Sequence, residues 1–96
     1  MNEKLGLDIQ NLTPEIAKQL GYENEQGGVL VANVISGSPA EDARLQRGDL
    51  IKEVNRTAFN NVQAFNSEVA KLQSGESAAL LVRRGQNNFF VAISIP

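Results

Sequence analysis

Apolar residues recur along this chain in two rhythms, every second residue and every third or fourth, and the switches between them divide it into nine short segments. In "KLGLDIQ", Leu5, Leu7 and Ile9 alternate with smaller or polar neighbours, which predicts a strand over residues 5–12. "TPEIAKQLG" predicts a short helix. Thr13 suits the N-cap, Pro14 the first helical position, Glu15 the positive end of the dipole and Gly21 the stop, with Ile16, Ala17 and Leu20 as its apolar side. A polar loop, "YENEQGG", leads to "VLVANVISG", the strongest strand signal. Val29, Val31 and Asn33 face one way there and Leu30, Ala32 and Val34 the other, so both faces are expected to be largely buried.

"SPAE" has the spacing of a capping box from Ser38 to Glu41, and the helix it opens is expected to close at Gly48 within two or three turns. "GDLIKEVN" predicts a third strand, with Leu50, Ile51 and Val54 toward the core. Asn55 then opens a tight turn in which it can take positive φ, leading to a brief extended piece. "NNVQAFNSEVAKLQSG" carries Val62, Phe65, Val69 and Leu72 at i, i+3, i+7 and i+10, which predicts the one long helix, capped at Asn60 or Asn61 and ended by Gly75. "SAALLVRRG" and "NNFFVAISI" complete the chain as a hairpin turning at residues 85–87. Many short strands with two main helices predict a single α+β domain over residues 1–96, built on a partly open antiparallel sheet or barrel.

Composition removes several classes of function. The 96 residues carry a net charge of −2, so a basic face for nucleic acid or an anionic membrane is not expected, and Arg83 and Arg84 alone are too few to supply one. The chain has neither histidine nor cysteine. That excludes within it a Ser-His-Asp triad, a disulfide, a thiolate metal site and a histidine metal site, and its serines lack a base. Neither a catalytic residue nor a metal or other cofactor is therefore expected. The acid pairs Glu41–Asp42 and Glu23–Glu25 suit helix starts and loops. No apolar run approaches the length of a membrane span, and the first residues have no apolar targeting core. A signal for export would lie outside these residues.

One glycine needs a reason. Gly6 sits where a strand begins, and a glycine there leaves nothing to pack. It marks either a bulge or close packing point, or a backbone that must approach something outside the chain.

The order and spacing of "LGL" at 5–7, "GVLVANVISGSPAEDARLQRGDLIKEVN" at 28–55 and the closing "LLVRRG…FFVAISI" resemble a PDZ domain. More narrowly they resemble the PDZ domains of the HtrA/DegP serine proteases, over nearly the whole chain. Starting on the Φ-G-Φ strand and finishing on an extra strand is similar to the permuted bacterial layout, and "TPEIAKQLG" with its polar loop is most similar to the second of two tandem PDZ domains. Two departures stand at surface turns, Arg44 and Arg56, where the family usually has glycine.

The resemblance implies a non-catalytic peptide-binding module of a periplasmic serine protease. Its partners would be hydrophobic C-termini, or extended segments, of unfolded proteins, together with the protease domain and other PDZ domains of the parent. The alternative it implies is an architectural domain joining subunits of the protease oligomer. Lys4, Leu5, Gly6 and Leu7 would form the carboxylate-binding loop, with the amides of residues 5–7 as donors. A peptide would add as a strand beside Leu7, Asp8 and Ile9. Its terminal side chain would enter a pocket of Leu5, Leu7, Ile9, Val62, Asn66 and Val69, selective for apolar residues. A Cβ at Gly6 would crowd that carboxylate or forbid the backbone angles. Lys4 would add at most long-range attraction.

Overall fold

The two rhythms resolve into six strands and three helices in a computed structural model that describes residues 2–96. In chain order they are β1 (Leu7–Asn11), α1 (Pro14–Leu20), β2 (Val29–Val34), α2 (Pro39–Asp42), β3 (Leu50–Val54), β4 (Thr57–Ala58), α3 (Val62–Ala70), β5 (Ser77–Arg84) and β6 (Asn87–Ser94). All pairings are antiparallel, in the order β1-β2-β3-β5-β6, with β4 attached to β3. The sheet is open: β1 and β6 remain as its two edges and do not close a barrel.

The helices obey their caps. The Thr13 hydroxyl accepts from the Ile16 amide at 3.2 Å, and Gly21, in the left-handed region at φ 77°, ends α1. The Ser38 hydroxyl accepts from the Glu41 amide at 3.2 Å, while the Glu41 carboxylate accepts from the Gly37 amide, so the capping box closes one residue earlier than its usual form. Asn61 caps α3 through the Ala64 amide at 2.8 Å.

Several boundaries differ from expectation. Residues 3–6 form a turn, so β1 starts at Leu7 and not at Leu5. The segment α2 is a single turn, because Arg44 adopts φ 65° well before Gly48. α3 ends at Ala70, five residues short of Gly75. Leu20, placed on the apolar side of α1, is 42% exposed.

Two apolar layers flank the sheet. The main core gathers Leu5, Leu7, Val29, Val31, Ile51, Phe65, Val69, Leu80, Val82 and Ile93, with Phe59 edge-on to Phe65 at 5.1 Å. Ala17, Tyr22, Leu30 and Leu50 form a smaller cluster where α1 covers the opposite face. Double burial of β2 follows from this arrangement, apart from the exposed Asn33.

Two arginines tie the periphery. Arg83 is 5% exposed, stacks over Tyr22, and donates to Asn24, Glu25 and the carbonyls of Gly21 and Gly85. Arg84 grips the buried Asp49 with two bonds of 2.8 Å. Both side chains are thus structural, which accounts for the adjacent pair without any anionic partner.

Candidate peptide-binding site

The loop before β1 is held from three sides. The Lys4 ammonium reaches the carbonyls of Val69, Ala70 and Leu72, at 2.6 Å for the last, and so caps the C-terminus of α3, where a cation meets the negative end of the helix. The Ala40 amide donates to the Leu5 carbonyl at 2.9 Å, and the Ile35 amide to the Gly6 carbonyl at 2.9 Å. With both carbonyls facing inward, the amides of Leu5, Gly6 and Leu7 converge on the other side as a small concave set of donors.

That set is occupied by the chain itself. The Asn2 carbonyl accepts from Gly6 at 2.9 Å and from Leu7 at 3.0 Å, and the Asn2 side-chain oxygen accepts from the Leu5 amide at 3.1 Å. The Asn2 amide in turn donates to the Leu7 carbonyl at 2.7 Å, making an isolated antiparallel bridge on the outer edge of β1. Its side-chain nitrogen donates to Asn66 on α3 at 2.8 Å.

Gly6 has φ 77°, and a Cβ there would lie 2.1 Å from the Cβ of Ser38. Within the chain the crowding comes from the turn that opens α2, and the required backbone angle is as expected.

The predicted site residues differ in how far they reach the surface. Lys4, Asn66 and Val69 border an open cleft of about 370 Å³, together with Asn2, Glu3 and Ala70. Leu5 and Leu7 are fully buried in the main core, and Val69 is 1% exposed. Ile9 and Val62 are half-buried against that core, and Asp8 is half-buried on β1. Ile9 is the next residue after Leu7 whose main-chain groups turn outward from the edge strand. At the far end of that edge, the Asn11 side chain accepts from the Val62 amide at 2.8 Å, fixing the start of α3 to the end of β1.

The expectations from sequence omit Asn2, Asn11 and the Lys4 cap. Asn2 stands three residues before Leu5, the spacing at which an asparagine oxygen meets a main-chain amide, and that spacing was the available signal.

The sequence profile of the PDZ domain matches residues 4–95. The chain belongs to the PDZ domain family. It is 41% identical over 91 residues to a probable periplasmic serine endoprotease DegP-like of Chlamydia muridarum, covering 95% of this chain and 18% of that protein. The putative serine protease HhoB of Synechocystis is 36% identical over 96 residues, 93% of this chain and 23% of the relative. The chain thus spans about a fifth of the length of these relatives, which are named as serine proteases, whereas it is itself a PDZ domain.

Two solved structures share the fold. The HtrA-type protease AlgW with a decapeptide superimposes with a TM-score of 0.84 at 27% identity, covering 95% of this chain and 28% of that one. The HtrA3 PDZ domain bound to a phage-derived ligand, FGRWV, gives 0.80 at 25% identity, covering 96% and 84%. Both neighbours carry peptides, and the family assignment from "LGL", "GSPA" and "GDLI" stands.

Proposed function

We propose that this PDZ domain binds the hydrophobic C-terminus, or an extended segment, of an unfolded protein by adding it as a strand to β1, within a periplasmic HtrA/DegP-type serine protease. The catalytic residues belong to another part of that parent, since this chain has no histidine to act as a base. The observation that carries the reading is the bridge between Asn2 and Leu7. A residue seated there exchanges two main-chain bonds with the edge strand while its oxygens meet the three amides of the loop. A peptide's last residue can make the same bonds with its N–H and carboxylate. Lys4, Leu5, Gly6 and Leu7 form the loop, Leu7 to Ile9 the pairing edge, and Asn66, Val62 and Val69 the helix wall. The phage-derived ligand bound to the HtrA3 PDZ domain supports peptide binding by this fold.

The test is fluorescence polarisation with labelled FGRWV, free or amidated at its C-terminus. Binding on the order of micromolar is expected for so small an interface. Amidation is expected to weaken it by about 1.5–3 kcal/mol, the range for hydrogen bonds to a charged group. Ile9→Pro, which removes an outward N–H from β1, is expected to abolish binding. Equal affinity for acid and amide would refute the carboxylate role of the loop.

One observation favours a second, architectural reading. The edge strand β6 is eight residues long, carries no charge and exposes Phe90 by 67%, so it lacks the usual protection against pairing with another chain. Sedimentation of the parent with Phe90→Lys tests it: a smaller oligomer is the outcome this reading requires.

A further inference from the structure

Asn2 does more than fill space beside the loop. It is 7% exposed, and each of its four polar groups is bonded, the main-chain N–H and carbonyl to the start of β1, the side-chain oxygen to Leu5 and the side-chain nitrogen to Asn66. Its two oxygens divide three amides between them, as the two oxygens of a carboxylate can, and its N–H takes the Leu7 carbonyl that a terminal residue would take. A peptide and Asn2 cannot hold these groups together.

We propose that Asn2 is a resident competitor for the peptide's terminal residue, and that Asn66 is the positioning residue that keeps it seated. This rests on the peptide-binding reading above and goes beyond it. The loop then exists in two states, one closed by Asn2 and one with Asn2 withdrawn. A peptide binds only the second, so its apparent affinity is reduced by the fraction of molecules in that state. The two side-chain bonds of Asn2 bias the balance toward the closed state. The hydrogen bond that the Asn66 oxygen accepts from Asn2 makes the helix wall sense which occupant is present.

The experiment compares the full chain with Asn2→Ala and Asn66→Ala, titrated with FGRWV while amide signals are followed by NMR. Asn2→Ala is expected to bind about tenfold more tightly, equivalent to ~1.4 kcal/mol. Asn66→Ala, which leaves the Leu5 contact in place, is expected to bind more tightly by a smaller factor. In the wild type, the Asn2 side-chain amide protons are expected to lose protection from solvent exchange as peptide saturates. Equal binding by all three chains, or peptide-saturated protein in which those protons stay protected, overturns the competition and leaves the peptide-binding reading standing. No binding by any of the three overturns both. Thermal unfolding of each variant checks that it is folded. A loss of stability without a gain in affinity would make Asn2 a structural cap only, and would also overturn the proposal.

Discussion

Gly6→Ala is the substitution whose consequences the structure fixes most tightly. Gly6 sits at φ 77°, where a residue with a Cβ is strained by about 1–2 kcal/mol. The added Cβ would also lie 2.1 Å from the Cβ and 2.6 Å from the hydroxyl of Ser38. No rotamer moves a Cβ, and Ser38 is itself held. It is buried, caps α2 through Glu41, and adjoins the Ala40–Leu5 and Ile35–Gly6 bonds that lock the two turns together. Forcing these turns apart adds about 1–3 kcal/mol of overpacking. The whole substitution should therefore destabilise the domain by roughly 2–5 kcal/mol.

The two contributions separate in a double-mutant cycle. Ser38→Gly removes the clashing atoms and, as an N-cap replacement by glycine, costs only a few tenths of a kcal/mol. In that background Gly6→Ala should cost only about 1–2 kcal/mol, the backbone strain alone. A coupling of about 1–3 kcal/mol between the sites should remain. Equilibrium urea unfolding followed by far-UV circular dichroism measures all four chains. The same cost in both backgrounds would refute the Ser38 contact as its source. A cost below 1 kcal/mol in the wild type would refute the backbone argument as well.

Two further predictions concern stability. Arg44 and Arg56 hold φ 65° and 68° on the surface, Arg56 beside Asn55 at 48° in the turn from β3 to β4. Replacing either by glycine relieves the strain, less the extra freedom glycine loses on folding. Each should raise stability by up to about 1 kcal/mol, or a few degrees in Tm by calorimetry; a lower Tm in both would contradict this. For Glu25, burial pushes the carboxyl up, but hydrogen bonds from Arg83 and Lys52, with their charges, outweigh it and hold the group below its ordinary value near 4.5. A carboxyl lowered on folding stabilises the protein above its unfolded value, and that contribution is lost as pH falls through the folded value. Glu25→Gln should therefore be less stable than the wild type at pH 7, with the gap narrowing as pH falls below the ordinary value near 4.5, in urea titrations at stepped pH; a gap that does not narrow on acidification would show another origin.

What the sequence revealed and what it hid divide along physical lines. Local signals were legible. Thr13, Ser38 and Asn61 cap the helices they precede, and Asn55 takes the positive φ it tolerates. The succession of elements was legible from the alternation, and the edge at β1 from the family motifs alone. Long-range polar pairing was not. The lysine of a loop seals a helix end some 65 positions away, Asn2 meets Asn66, and Asn11 holds Val62. Such bonds depend on how the layers stack, which no local spacing encodes. One overestimated length shares this origin, since the α3 carbonyls pass to Lys4 before Gly75 is reached, whereas α2 stops locally, just before Arg44 in the left-handed region. In the site, the aliphatic residues at 5, 7 and 69 were assigned to a ligand pocket; all three are buried in the main core, and of them Val69 also borders the cleft beside the loop. A fixed stripe of apolar residues cannot say which of its members face the gap between helix and strand.

The same burial constrains how the loop works. Leu5, Gly6 and Leu7 are all buried, and a buried N–H without an acceptor costs about 1–3 kcal/mol. Three such donors on successive residues cannot be left empty; they must face Asn2, water or a ligand. Peptide binding at this edge is then an exchange of acceptors and not the filling of a void, so the net gain is only the surplus of a charged carboxylate over an asparagine's neutral oxygens, plus the pairing along β1. That surplus is small by construction, which favours modest affinity and rapid release. On the proposed competition, control of affinity would lie outside the ligand, in whatever strengthens or weakens the hold of Asn66 on Asn2.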